Sequence, residues 1–156
     1  MHFENKKSHK LKNILQNLFL GAMVKRDLDQ ICQHFSNTIE IHTPFEQHSG
    51  IENLERALGN LTSCFKCDYL QQYNIEIFNH IGYIEWTAYL TQKKTWLNFE
   101  KNLGQSLKFQ GILKLEFNED LLIQKWHSYQ NLFKVISALE EKQEQELSFN
   151  LLKGGD

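Results

Sequence analysis

The run "RDLDQICQHFSNTIEIHTPFEQHSG", residues 26 to 50, sets two histidines and a glutamate around the only proline of the chain. An imidazole beside a carboxylate can take up and release a proton near neutral pH. His48 and Glu46 stand two residues apart in the turn after Pro44, which makes them the candidate catalytic pair. The competing reading is a polar loop histidine that is simply solvated. The second chemistry-bearing run is C-F-K-C, Cys64 to Cys67, with Cys32 as the remaining thiol. Zinc would need two further ligands at suitable spacing, and the sequence has no second C-x-x-C and no H-x-x-x-H. A redox pair of the thioredoxin kind follows a strand and opens a helix, whereas this one follows a helix and precedes a strand. The thiols are therefore expected to be structural, with no metal and no cofactor.

These residues need elements to hold them. Leu11, Ile14, Leu15, Leu18, Phe19 and Ala22 recur at helical spacing and predict a first amphipathic helix over about residues 9 to 24. Asp27 is an N-cap candidate for a short second helix carrying Leu28, Ile31, Cys32 and Phe35. "NTIEIHT" alternates as a strand. Gly50 then precedes a third helix with Ile51, Leu54, Ala57, Leu58 and Leu61 on one face. Period-2 stretches follow at about 69–79, 81–92, 106–117 and 121–129, the first two closing as a hairpin at Asn79-His80. "KKTWLNFEKNLGQ" is a long connection, and "QNLFKVISALEEKQEQEL" reads as a last helix before a polar tail. The expected division is one domain over 1–140 and a tail over 141–156.

Alternation along each strand assigns its faces. Ile84, Trp86, Ala88 and Leu90 share one face, leaving Glu85 on the other. Leu107, Phe109, Gly111, Leu113, Leu115 and Phe117 leave Glu116 outside, and Tyr73, Ile75 and Ile77 leave Glu76 outside. In the first strand Ile39, Ile41 and Thr43 face in, so Glu40 and His42 face out. Every strand carboxylate thus falls on the polar side. His127 shares parity with Leu121 and Ile123, opposite Trp126, in a stretch of mixed polarity on both faces.

Bulk properties narrow the function. A chain of 156 residues suits a single domain. Lys plus Arg is 17 against 19 Asp plus Glu, a net charge of −2, which gives nucleic acid no basic face to meet. No run approaches the roughly 18 apolar residues of a membrane span. The amino terminus is basic and then apolar, but Asn13, Gln16 and Asn17 interrupt it and no small-x-small cleavage site follows, so a cytoplasmic protein is expected. Eleven Phe, five Tyr and three Trp are enough to line a cavity or to fill a core.

The ordered motifs resemble the SnoaL-like branch of the nuclear-transport-factor-like superfamily over about residues 11 to 137. "RDLDQICQHFSNTIEIHTP" is similar to the branch's "gD-ldal-elfaddvvvhdP", and "SGIENLERAL" to its "G-re-i…l" helix. "IEWTA" resembles its "v-W-ta" strand, and "FQGILKLEFNEDLLIQKWHSYQNLFKVI" its "frG-vfrv-dGkI-ehW…D-lgll". The resemblance implies an α+β cone: a curved, mainly antiparallel sheet wrapped around amino-terminal helices, with an internal pocket. It also implies an acid four residues after the last-strand Trp, a histidine six after the third-strand Trp, and an aspartate before the proline. Here those positions hold Gln130, Gln92 and Thr43. Neutral amides and hydroxyls orient a ligand but transfer protons poorly near neutral pH.

Three functions remain in view. The first is a small-molecule binding protein with Thr43, Phe45, Trp86, Gln92, Phe109, Leu113, Trp126, Ser128 and Gln130 around an apolar or polycyclic ligand. The second is a cyclase-, isomerase- or dehydratase-type enzyme using His48 or Glu46. The third is a subunit that interacts through its sheet, since Ile81, Tyr83, Tyr89 and Ile112 make the outward face unusually apolar and predict a homodimer.

Overall fold

The computed structural model describes residues 2–44, 46–96, 99, 106–130, 136, 137 and 140. Helix α1 spans His2–Leu20 and runs into a π-helical turn, Gly21–Lys25. Then come α2 (Leu28–Cys32), β1 (Phe35–His42), β2 (Gln47–Ser49) and α3 (Ile51–Cys64). Four long strands complete the fold: β3 (Phe65–Phe78), β4 (Ile81–Gln92), β5 (Ser106–Phe117) and β6 (Ile123–Gln130). The six strands form one curved sheet in the order β2-β1-β6-β5-β4-β3. Every neighbouring pair is antiparallel except β1–β6, which is parallel. The expected α+β cone is the observed architecture. Among the described residues no helix is long and apolar enough to cross a membrane.

Helix α1 begins earlier than its apolar pattern, because Lys6, Lys7 and Lys10 extend it without facing the core. Its buried stripe, Leu11, Leu15, Leu18 and Phe19, lies on β3 and β4. Leu15 sets the distance. A Cβ added to Gly82 would come within 2.2 Å of Leu15 Cδ1, so the missing side chain in β4 is the notch that seats the helix. Asp27 caps α2 as expected, its Oδ1 accepting from the Gln30 amide at 3.0 Å. That helix ends sooner than the apolar spacing predicts. Phe35 opens β1 and is buried with Ile39 and Ile41, its partners in strand rather than helix parity.

Two kinds of irregularity escape a period-2 reading. Strand β3 starts at Phe65, not near 69, because register shifts between Cys67 and Tyr69 and between Leu70 and Gln72 break its alternation. Asp68 sits in the first shift and accepts hydrogen bonds from the hydroxyls of Ser106 and Thr91. Those hydroxyls, Ser106 foremost, hold its carboxyl below the ordinary aspartate range. In β6 the register passes from Phe117↔Ile123 to Glu116↔Lys125, leaving Gln124 as an extra residue. Ile123 and Trp126 are therefore both buried although three apart. This corrects the parity expected for His127, which lies across from Lys114 on the outer face.

On that outer face the His127 ring stacks on His42, with centroids 4.5 Å apart and planes 7° from parallel. Burial, and then the His42 charge, push the His127 imidazole below its ordinary range. Lys114 Nζ meets Glu116 Oε1 at 3.0 Å beside them. Glu40, Glu76 and Glu85 are exposed, on the side that alternation assigned to them. Tyr83, Ile112 and Tyr129 are exposed there too, the apolar surface on which the expected homodimer rests. The expected last helix, apart from residues 136, 137 and 140, and the tail over 141–156 lie outside the described residues.

Candidate functional site

The concave face of the sheet and the helices do not close completely. Between them lies a cavity of about 380 Å³. Leu18, Phe19 and Met23 wall it from α1 and the π turn, and Leu54, Leu58 and Leu61 from α3. The sheet contributes Ile41, Trp86, Phe109, Leu113 and Trp126. A π turn places successive side chains off the α-helical stripe, which is why Ala22 and Met23 both reach the cavity just before the chain leaves the helix.

Trp86 is the central wall residue and is only 5% exposed. Its ring lies over Gly111, its cross-strand partner: a Cβ there would stand 3.1 Å from Trp86 Cζ2 and Nε1, and 2.8 Å from the Tyr129 carbonyl oxygen. Phe19 flanks it with centroids 6.2 Å apart. The indole Nε1 is buried and has no hydrogen-bond partner, a donor left over because the ring fits the glycine. Trp126 packs on Phe35 at 5.8 Å.

The polar groups gather at one end. Strands β1 and β6 run parallel with Ile41 beside Trp126 and His42 beside His127. Both chains therefore reach the same edge of the cup, where Thr43, Pro44 and Glu46 follow β1 and Ser128 and Gln130 follow Trp126. Ser128 and Gln130 have no hydrogen-bond partner among the described residues, so their polar atoms are available to the cavity. The turn is pinned from both sides. Thr43 N donates to the Glu46 carbonyl at 2.9 Å, and the Thr43 hydroxyl accepts from Glu46 N at 3.2 Å.

His48 is not in a turn but in β2, a three-residue strand too short for periodicity to reveal. It pairs with the inward-facing Ile41, which turns its side chain toward the same face. Its Nε2 lies 2.7 Å from Glu46 Oε2. Glu46 lines the cavity and His48 stands behind it, outside the lining.

Of the expected ligand-binding residues, Thr43, Trp86, Phe109, Leu113, Trp126, Ser128 and Gln130 come together around the cavity. Phe45 lies outside the described residues. Gln92 does not line the cavity. It is fully buried and its Nε2 donates to the carbonyls of Lys94 at 2.9 Å and Phe99 at 3.1 Å, holding the chain that follows β4. That clamp presents Trp96, a wall residue the sequence reading did not single out. Asn60 and the helix residues were missed for another reason: their apolar spacing reports burial without telling cavity from core.

The thiols play no part in this arrangement. Cys64 closes α3, Cys67 lies in β3, and all three cysteines are free. Burial pushes the Cys67 thiol up, and burial with the neighbouring Glu55 and Asp29 carboxylates pushes Cys32 up to about 11, so both stay protonated and unreactive. Among the described residues no three His, Cys, Asp or Glu are grouped to hold a metal ion.

Solved structures share this architecture. A candidate polyketide cyclase from Xanthomonas campestris matches at a TM-score of 0.77 with 12% identity, covering 85% of this chain and 98% of its own. A candidate SnoaL-like polyketide cyclase from Jannaschia sp. matches at 0.73 with 12% identity, over 85% and 92%. An epoxide hydrolase of the LEH-like type from Mycobacterium tuberculosis matches at 0.65 with 12% identity, over 91% and 98%. No protein-family model matches the chain, and no match is found among curated proteins. The chain thus has the SnoaL-like, nuclear-transport-factor-like fold. At this identity the likeness concerns the fold alone; activity must be argued from the site.

Proposed function

We propose that the chain is a small-molecule binding protein, holding the apolar body of its ligand between Trp86, Phe109, Leu113 and Trp126. The ligand's polar group meets Ser128 and Gln130. One observation carries this reading: an apolar cavity of about 380 Å³ opens onto an amide and a hydroxyl that no described residue engages. That volume falls within the roughly 300–1,000 Å³ of ordinary small-molecule sites. The three positions where the family resemblance implies ionisable groups support it further. Thr43 and Gln130 sit at the cavity as neutral groups, and Gln92 is spent on the chain after β4.

Gln130→Leu tests the anchor. It keeps the wall's bulk and removes the amide, so the ligand's polar group is buried without a partner. The expected loss is about 1–3 kcal/mol of binding free energy, with folding stability little changed. Isothermal titration of both proteins with one apolar alcohol measures it, and equal affinities would remove Gln130 from the site.

A second reading is favoured by the 2.7 Å contact between His48 and Glu46 at the cavity's polar end. A carboxylate orienting an imidazole is a general-base arrangement, and Glu46 itself reaches the cavity. This enzyme reading replaces the first if the unmodified protein turns over a cyclase- or isomerase-type substrate and His48→Ala abolishes that turnover.

A further inference from the structure

We infer that the cup selects ligands by charge: its polar end takes a protonated amine in preference to an alcohol, and rejects a carboxylate. The inference rests on the binding reading above and specifies the head group of that ligand. Three observations carry it. First, the described lining contains one ionisable side chain, Glu46, and no Lys, Arg or His. Second, Glu46 is placed at the end where a polar head must go. The parallel pairing of β1 with β6 brings the turn after Thr43 and the Ser128–Gln130 segment to the same edge, and the turn's hydrogen bonds between Thr43 and Glu46 fix the backbone from which the carboxylate projects. Third, only Oε2 of Glu46 is committed, to His48 Nε2; Oε1 has no partner among the described residues.

The chemistry follows from these placements. An ammonium head can donate one hydrogen to the free Glu46 oxygen and others to the Gln130 amide oxygen and the Ser128 hydroxyl, all acceptors. An alcohol brings one donor to the same three groups. A carboxylate brings acceptors only, next to a carboxylate, into a cavity with no cation to compensate its lost hydration. The Glu46 side chain is about half exposed, at 52%, which keeps the attraction modest and sensitive to salt.

Three probes with one ring system separate these terms: naphthylmethanol, naphthylmethylamine and naphthoate, titrated calorimetrically into the full chain at low salt. The expected order is amine tightest, by about two- to fivefold over the alcohol for a half-exposed ion pair. Naphthoate is expected at least about tenfold weaker than the alcohol, for want of a partner. Glu46→Gln should bring the amine-to-alcohol ratio to near one, and so should raising the salt, while circular dichroism checks the variant's fold. An alcohol that binds no more weakly than the amine, or a naphthoate that binds as well, overturns the charge selection and leaves the binding reading standing. No saturable binding of any of the three overturns both.

Discussion

Replacing Trp86 with alanine is expected to lower the unfolding free energy by about 3–5 kcal/mol, the range for removing a buried aromatic side chain. The ring is 5% exposed, lies over Gly111 and touches Phe19, so its removal uncovers all three at once. It would also enlarge the cavity through its central wall. Backbone relaxation cannot refill the space, because the strands on both sides are paired along their length, β4 to β3 and to β5. Trp86→Phe should recover part of the loss, since a smaller ring still covers the glycine. Chemical denaturation of the three proteins provides the numbers. A loss under about 1 kcal/mol for the alanine variant would mean that the ring is a loosely held surface and not the wall described here.

The second large effect concerns the seat of α1. Leu15→Ala should cost about 2–5 kcal/mol, because Leu15 is fully buried at the contact between α1 and β4. Gly82→Ala should cost about 1–3 kcal/mol by overpacking, with its new Cβ set against Leu15 Cδ1. The two changes are complementary in shape. In the double variant the added methyl occupies space that Leu15 vacated, with Ile77 Cδ1 at 3.3 Å as its remaining close neighbour. The double variant should then be more stable than the sum of the single costs implies, by about 0.5–3 kcal/mol, the coupling seen between contacting residues. Strict additivity in a double-mutant cycle would contradict the notch.

These residues also show what a sequence reveals and what it hides. Strands β4 and β5 were legible to within a residue, because Ile84, Trp86, Ala88 and Leu90 alternate cleanly and so do Leu107 to Phe117. A strand buried on one face cannot slip by one residue without exposing that whole set, so the pattern is enforced by the core. Trp86, Phe109, Leu113 and Trp126 were legible as wall for the same reason. The hidden parts break periodicity or are too short to have any. Asp68 and Gln124 each insert a residue and shift the phase of everything beyond them, which is how His127 changed faces. Strand β2 has three residues, so nothing in its sequence distinguishes it from a turn, and His48 was assigned to a loop.

The site divides along the same line. Ser128 and Gln130 follow from their parity with Trp126, whereas Gln92 shares the parity of its strand's inward set and still misses the cavity. The difference lies past the end of β4, where the carbonyls of Lys94 and Phe99 claim its amide. Such a claim depends on how the chain turns after the strand, which no alternation encodes. Glu46 is the converse case: the contact with His48 depends on the hairpin bringing two positions into register, and two-residue spacing alone does not show which of the pair reaches the ligand.

Diffraction from crystals soaked with a library of small hydrophobic alcohols and amines tests the central claim most directly. A bound molecule should lie between Trp86, Phe109, Leu113 and Trp126, with its polar atom within about 2.7–3.2 Å of the Ser128 hydroxyl or the Gln130 amide. A cup filled by its own side chains, with no soaked molecule bound in it, would contradict the account. The aromatic residues would then be core alone, and the protein's partner would have to be sought on the outer face of the sheet.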